Sequence, residues 1–253
     1  MAEIPNRTLQ RGFQMLELLG AHPDGLALCE LGDRLALARS TAFNLAHSLI
    51  ELGYASLDEE TGKYRLGLKM YEIGAQAVNR VDGMSLVRGC MAEIHRTINE
   101  TVHLGVRSGT DTLYIDKLDS TQSIRMTSYI GSRAPLNCTA LGKALLATLP
   151  DAEIRALYAH TPLARVTPRS IDDMDTLLAQ MAVVRANGYA VEREENNENV
   201  CCVAVALRGT DGRALYAMSV SAPIFRMGEA EIDRCAQLLS AAQRRLEPFV
   251  IRG

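Results

Sequence analysis

Along "RSTAFNLAHSL", the side chains of Ser40, Thr41, Asn44, His47 and Ser48 recur on one side at helical spacing. Their chemistry is hydrogen bonding. Hydroxyls and free amides at a helix start suit phosphate, and the carboxamide of Asn44 matches the donor and acceptor on an adenine edge. Arg39 has the reach for phosphate or guanine. In "GKYRLG", Lys63 and Arg65 alternate with Tyr64, so both cations share a face that can meet a phosphate backbone. Arg7 and Arg11 add positive charge near the chain start. A second cluster lies far downstream. Ser219 and Ser221 are two apart in "AMSVS" and point to one side of a strand. Cys202 leads a run with Ala204 and Ala206 on its face. Such small side chains leave room either for a guest or for a tightly packed helix.

Other chemistries fit the residues poorly. The six cysteines form no C-x-x-C pair and no paired-His pattern, so no metal site is expected, and the thiols read as free and reduced. "LGKALL" has Asn137 and Ala144 where a phosphate loop needs Gly and Ser/Thr. No G-x-S-x-G elbow occurs, and nothing in the sequence unites Cys202 with His103 as a thiol–imidazole pair. "EREEN" lacks calcium-loop spacing and reads as a solvated turn. No catalytic residue and no cofactor are therefore expected. With no Trp and few aromatics, an aromatic platform for sugars or single-stranded nucleic acid is also excluded. The polar start "MAEIPNRTLQRG" is no signal peptide and no run is long enough to span a membrane, so a cytoplasmic protein is expected.

The elements that must position these residues follow from periodicity. Leu9, Phe13, Leu16 and Leu19 give a first helix over 6–20. A short second helix spans Leu28 to Leu35. In the third, Ala42, Leu45, Ala46, Leu49 and Ile50 form an apolar stripe opposite the polar face. Gly53 stops it. "YASLDEETGKYRLG" reads as a hairpin with Gly62 at the tip. Three helices and a hairpin describe a winged helix-turn-helix, whose second paired helix enters the major groove. A helical bundle with a merely solvated face is the rival, and propensity leaves both open. Residues 1–80 hold eight Lys and Arg against ten Asp and Glu, so a DNA contact must rest on a local basic edge.

Helix "LKMYEIGAQAVNR" leads out of this module to a break near residue 80. Beyond it come a helix at 85–100 and strand-like runs "TVHLGVR", "TLYIDKL" and "SIRMTSY". Helices "TALGKALLATLP", "DAEIRALYA" and a long one ending at Gly188 follow. Strands "AVERE", "CCVAVAL" and "ALYAMSVS" come next, the last two joined by a "TDGR" turn, and a final helix closes the chain. This order implies an α+β fold with an antiparallel sheet.

"LQRGFQMLELL", "RSTAFNLAHSLIELGY" and "TGKYRLGLKMYEIG" resemble, in order and spacing, the DNA-binding domain of the IclR family of bacterial transcription regulators. "YIGSRAPLNCTALGKALLA", "VRANGYAVEREENNENVCCVAVAL" and "AMSVSAP" resemble that family's effector domain. The resemblance covers nearly the whole chain. It implies a winged helix-turn-helix domain at 1–67, a linker helix at 68–80 and a GAF-like effector domain at 81–253. It implies a homodimer, paired in some members into a tetramer, on a palindromic double-stranded DNA operator. A repressor is expected in preference to an activator. The alternative is a small-molecule sensor acting through protein partners without DNA.

Two departures stand out. Phe43-Asn44 replaces the His-Arg common in the family's recognition helix; Phe43 either meets a thymine methyl or plugs the interface with the wing. Asn199 replaces a Gly, and Asn tolerates a left-handed backbone. The resemblance places Cys202, Ser219 and Ser221 against the effector, with Glu192 as a polar pocket position. The helix starting near Thr139 offers free amides at Ala140 and Leu141 for a carboxylate. Met126, Asn137 and Cys138 tune the size. Glu192 repels a second carboxylate and accepts hydroxyls, so a small hydroxylated acid is the expected effector.

Overall fold

The computed structural model describes residues 6–79, 84–209 and 214–247. The chain divides into two compact units, Met1–Arg80 and Val81–Gly253. The "TDGR" turn, the break at 81–83 and Arg80 lie outside the described residues.

In the first unit, α1 (Arg7–Gly20) starts at Asn6, whose side chain accepts from the Leu9 amide at 3.0 Å. This satisfies one of the donors that a helix start leaves free. Helix α2 (Leu28–Arg34) and α3 (Arg39–Glu51) follow. Their turn passes through Ala36 at φ +50° and closes with Leu37 N–H donating to Gly32 O at 2.8 Å. Small residues set the helix crossing: a Cβ on Gly32 would already touch Ala42 at 3.8 Å. Ala42 and Ala46 are fully buried, and Leu45, Leu49 and Ile50 are half-buried around them. Met15, Leu19, Leu31 and Tyr64 complete the core. Each such side chain contributes roughly 1.5–3 kcal/mol by leaving water. The expected first-helix stripe is only partly internal. Leu16 and Leu19 are buried, but Leu9 and Phe13 are each 57% exposed.

The hairpin of β2 (Ala55–Asp58) and β3 (Lys63–Leu66) is joined by a strand the periodicity did not reveal, β1 (Leu26–Ala27). Two residues are too few to carry a pattern. The sheet order is β1-β3-β2, all antiparallel. Helix α4 (Lys69–Asn79) leads out.

The second unit holds an antiparallel six-stranded sheet with order β6-β5-β4-β9-β8-β7. Its strands are β4 (Thr101–Ser108), β5 (Asp111–Leu118), β6 (Arg133–Pro135), β7 (Ala190–Arg193), β8 (Val200–Arg208) and β9 (Ala214–Pro223). Helices α5 (Met84–Ile98) and α9 (Glu229–Leu246) pack on one face. Helices α6 (Ala140–Leu146), α7 (Asp151–Leu157) and α8 (Met174–Asn187) contribute to the apolar cluster on the other. The fold is α+β, as expected.

"SIRMTSY" is not a strand. Residues 119–132 form an irregular strap. Carbonyls that would pair with a neighbouring strand are taken by an ammonium instead: Lys117 Nζ donates to Met126 O at 3.2 Å and to Ser128 O. Strand β6 takes the sheet edge, pairing Leu113 with Arg133.

Two close approaches fix the start of α6. A Cβ on Gly142 would lie 2.2 Å from Leu136 O, and one on Gly105 would lie 2.8 Å from the Thr112 methyl and 3.1 Å from Leu141. Gly142→Ala should therefore destabilise the chain by about 1–3 kcal/mol, as overpacked cores do. Gly89, in α5 with nothing within 4 Å of an added Cβ, should gain about 0.5–1 kcal/mol as Ala. Urea unfolding midpoints check both. Equal midpoints for the two variants would contradict the packing.

Candidate functional site

The first surface of interest is α3. Its N-cap is Ala38, extended at φ −60° and ψ 145°, and no side chain caps the helix. The first-turn amides therefore face outward unmet by any side chain. Arg39, Ser40 and Asn44 are exposed and, with Phe43, Leu28 and Tyr64, line one shallow depression. Thr41 is half-buried. Ser48 spends its hydroxyl on Asn44 O at 2.8 Å, inside the helix. Phe43 is 49% exposed and stacks on His47 with ring centroids 5.8 Å apart. It stands outward, which disfavours the role of an interface plug. His47 lies 3.9 Å from Glu51.

In the wing, the two cations differ. Arg65 pairs with Asp58 at 3.2 Å. Asp58 also accepts from the amides of Glu60 and Thr61, and the Thr61 amide holds its carboxyl below the ordinary value. The two cations therefore do not stand equally ready for a backbone. Lys63 has no carboxylate partner among the described residues, whereas Arg65 must first leave Asp58. Exposed pairs of this kind are weak because water screens them, so the exchange is cheap. Arg7 and Arg11 are exposed one turn apart on α1.

The second feature is a cavity of about 180 Å³ in the second unit. Strand register builds its floor. Glu192 lies opposite Cys202, and Cys202 opposite Ser221, so three strands present one row. The next row sets His103 beside Ser219. A bulge at Leu104/Gly105 pairs Gly105 with Tyr114, which turns that ring onto the same face. Ala140 and Leu141 form one wall and Met126 another, so these three surround one cavity with Glu192, Cys202, Ser219 and Ser221. Thr139 caps α6 by accepting from Gly142 N–H at 3.0 Å. No described residue accepts from the amides of Ala140 and Leu141.

Other expectations here are corrected. Asn137 and Cys138 do not line the cavity. The Asn137 amide donates to Ala164 O and Ile171 O at 2.8 and 2.9 Å, tying down the chain beneath it. Ala204 and Ala206 pack under α6, so the room is confined to the Cys202 end of that strand. "EREEN" is no solvated turn. Glu192 and Glu195 are buried, and Glu195 meets the fully buried Lys143 at 2.5 Å. Asn199 adopts φ +62°, the left-handed backbone that Asn tolerates.

Lining residues that were not singled out include His103, Tyr114, Arg125 and Ser128. His103 was legible as a polar residue in phase with Thr101 and Gly105 on an apolar strand. Tyr114 depends on the bulge, and Arg125 and Ser128 lie on the aperiodic strap.

Burial raises the Glu192 carboxyl to about 7, against hydrogen bonds from Cys202 and from the amides of Glu195 and Asn196. Burial, with Lys117 nearby, lowers His103 to about 3 and keeps it neutral. Burial likewise pushes the Cys202 thiol far upward. Cys202 and His103 do border one cavity, but neither carries the charge of a thiolate–imidazolium pair. Among the described residues no group of His, Cys, Asp and Glu gathers as metal ligands, and no helix is long and apolar enough to cross a membrane.

Because folding raises the Glu192 pKa, the folded state holds a proton that the unfolded chain has lost between about pH 4.5 and 7. Its contribution is present at the acid end and is lost as pH rises through this window. At 1.36 kcal/mol per unit the loss approaches roughly 3 kcal/mol. Glu192→Gln should flatten that slope in unfolding curves taken at pH 5 and pH 7.5. Parallel slopes for the two proteins would contradict the assignment.

Comparison with known proteins places this geometry. The model for the IclR helix-turn-helix domain matches residues 8–59, and that for the C-terminal part of the bacterial transcriptional regulator IclR matches 75–247. The chain is 32% identical to the HTH-type transcriptional regulator XynR of Escherichia coli, over 93% of this chain and 94% of that one. It is 33% identical to KdgR of the same organism, over 92% and 89%. The crystal structure of the Thermotoga maritima IclR matches with a TM-score of 0.79 at 28% identity, covering 94% of this chain and 98% of that one. An IclR homologue from Microbacterium hydrocarbonoxydans, solved with 4-hydroxybenzoate, shares the fold with a TM-score of 0.83 at 23% identity, covering 96% and 98%. The helix-turn-helix match decides against a sensor that works without DNA. The chain belongs to the IclR family of bacterial transcriptional regulators and is a DNA-binding regulator, not an enzyme.

Proposed function

We propose that the chain is a cytoplasmic repressor whose hold on a palindromic operator is set by a small organic acid in the cavity. The observation that carries this reading is the presence in one chain of two such features. One is an exposed helix face with an uncapped start, and the other is a half-open cavity of mixed polar and apolar lining in a separate unit. The repressor sense is supported by AllR of Escherichia coli, a transcriptional repressor 30% identical over 88% of this chain.

On the DNA side, the first-turn amides of α3 and Ser40 meet phosphate, Asn44 reads a base and Lys63 meets the backbone. Arg7, Arg11, Arg39 and, once released, Arg65 add backbone contacts. Domain limits of 1–67, 68–80 and 81–253 divide the labour. A homodimer, able to pair into a tetramer, presents two such helices. It is supported by the exposed side chains of Leu9, Phe13, Met70 and Ile73, which border one apolar groove within the first unit.

On the ligand side, a cavity near 180 Å³ exceeds the roughly 150 Å³ that admits benzene. The carboxylate sits on the amides of Ala140 and Leu141, with hydroxyls donated by Ser219 and Ser221. Met126 limits the length. Above about pH 7, where it is ionised, Glu192 disfavours a second carboxylate and accepts a hydroxyl, a preference met by the 4-hydroxybenzoate in the Microbacterium homologue.

Fluorescence anisotropy with DNA from upstream of the chain's own gene tests the first half. Asn44→Ala should cost about 1–3 kcal/mol of discrimination between operator and scrambled sequence. Lys63→Ala should weaken all sequences alike and lower the salt slope by about 1. Unchanged discrimination in Asn44→Ala removes the base-reading role. Calorimetry of the full chain against a panel of organic acids tests the second half. Hydrogen bonds to a charged group contribute roughly 1.5–3 kcal/mol each, so Ser219→Ala/Ser221→Ala should weaken the best acid by one to a few orders of magnitude. Equal affinity would place the ligand elsewhere.

A further inference from the structure

His103 sits on β4 with 3% of its surface exposed, between the cavity floor and the strap. Its Nδ1 lies 3.3 Å from Ser221 Oγ, and its Nε2 lies 2.7 Å from Ser128 Oγ. The Tyr114 ring is tilted against it at 5.0 Å. The charged groups nearby are Lys117 and Asp119, which pair with each other at 2.7 Å. Lys117 also grips the strap through Met126 O and Ser128 O.

A neutral imidazole has one donor and one acceptor. His103 is held neutral by burial, so one serine must donate to it and the other must accept from it. The distances differ in a way that assigns these roles. A separation of 2.7 Å is ordinary for a hydroxyl donor and short for an N–H donor. Ser128 therefore donates to Nε2, which puts the ring proton on Nδ1, and Nδ1–H donates to Ser221 Oγ. With its oxygen so engaged, the Ser221 hydroxyl keeps its own hydrogen for the cavity side, where its neighbour is the Cys202 sulfur, a weak acceptor that a ligand can replace. The opposite tautomer would make Ser221 donate to the ring and present lone pairs to the cavity.

We propose that His103 is a specificity-determining residue. As the Nδ1–H tautomer set by Ser128, it leaves the Ser221 hydroxyl hydrogen free for the cavity and selects a ligand that offers an acceptor there, such as a carboxylate. The selective consequence rests on the cavity being the ligand site; the tautomer does not. His103 thus acts on the ligand through Ser221, and a strap residue sets the polarity of the floor.

The test is a two-bond proton–nitrogen correlation spectrum of the full-length protein with labelled histidine, taken from pH 5 to 8 without ligand. The chain has five histidines. One signal, identified by its loss in His103→Gln, should stay neutral across the range with its proton on Nδ1. Ser128→Ala removes the donor to Nε2 and should shift that proton toward Nε2, while Ser128→Thr, which keeps a hydroxyl, should restore Nδ1–H. A proton on Nε2 in the wild type, titration of His103 within this range, or retention of Nδ1–H in Ser128→Ala would each overturn the proposal. A Ser128→Ala chain that fails to fold leaves the wild-type spectrum and Ser128→Thr to decide it. No ligand is needed, so failure here leaves the calorimetric test of the cavity intact, and failure there leaves this spectrum intact.

Discussion

A fully buried ammonium, Lys143, meets the Glu195 carboxylate at 2.5 Å beneath the cavity. Removing two such charges from water costs several kcal/mol per ion, so the pair persists only with good geometry and supporting contacts. The second Glu195 oxygen finds no partner among the described residues, so the support comes from the backbone that carries it. The hydroxyls of Thr167 and Ser170 donate to the backbone carbonyls of Glu194 and Glu195 at 2.6 and 2.7 Å. Glu194 and Asn199, both with left-handed backbones, bracket the loop. The amide of Glu195 in turn fixes Glu192 at the cavity wall. Breaking the pair by losing one partner strands a charge, at a cost of about 3–5 kcal/mol. Its worth lies in geometry: it locks the loop to α6, and so sets the cavity's acid opposite the start of that helix.

Much of the fold was legible because its signal is periodic. The stripe of Ala42, Leu45, Ala46, Leu49 and Ile50 gives α3, and two-residue spacing puts Ser219 and Ser221 together. What was not legible depends on long-range pairing. β1 and β6 are too short to show a pattern. The strap alternates like a strand, but Lys117 takes its carbonyls. Tyr114 faces the cavity only because of a bulge. "EREEN" reads as solvent-facing until Lys143, 52 residues earlier, comes to meet it. Buried ion pairs run against composition rules, since their partners are distant in sequence.

Charge needs the same local reading. The first unit is net acidic by count, yet the depression at the start of α3 is bordered by Arg39, Ser40 and Asn44. Asp58 restrains Arg65, which lowers the wing's field at long range while leaving Lys63 free of any described carboxylate. Binding on such a surface depends on hydrogen-bonding fit more than on a broad basic patch. A ligand in the other unit alters that binding only if it interacts differently with two arrangements of the chain.

Linkage of the two units is therefore the point on which the account stands. It is measured by anisotropy of labelled upstream DNA bound to the full-length protein, with and without a saturating concentration of the acid that most raises its melting temperature. A coupling free energy typical of allosteric proteins predicts a change in Kd of roughly 5–150-fold. An unchanged Kd at saturation would contradict it.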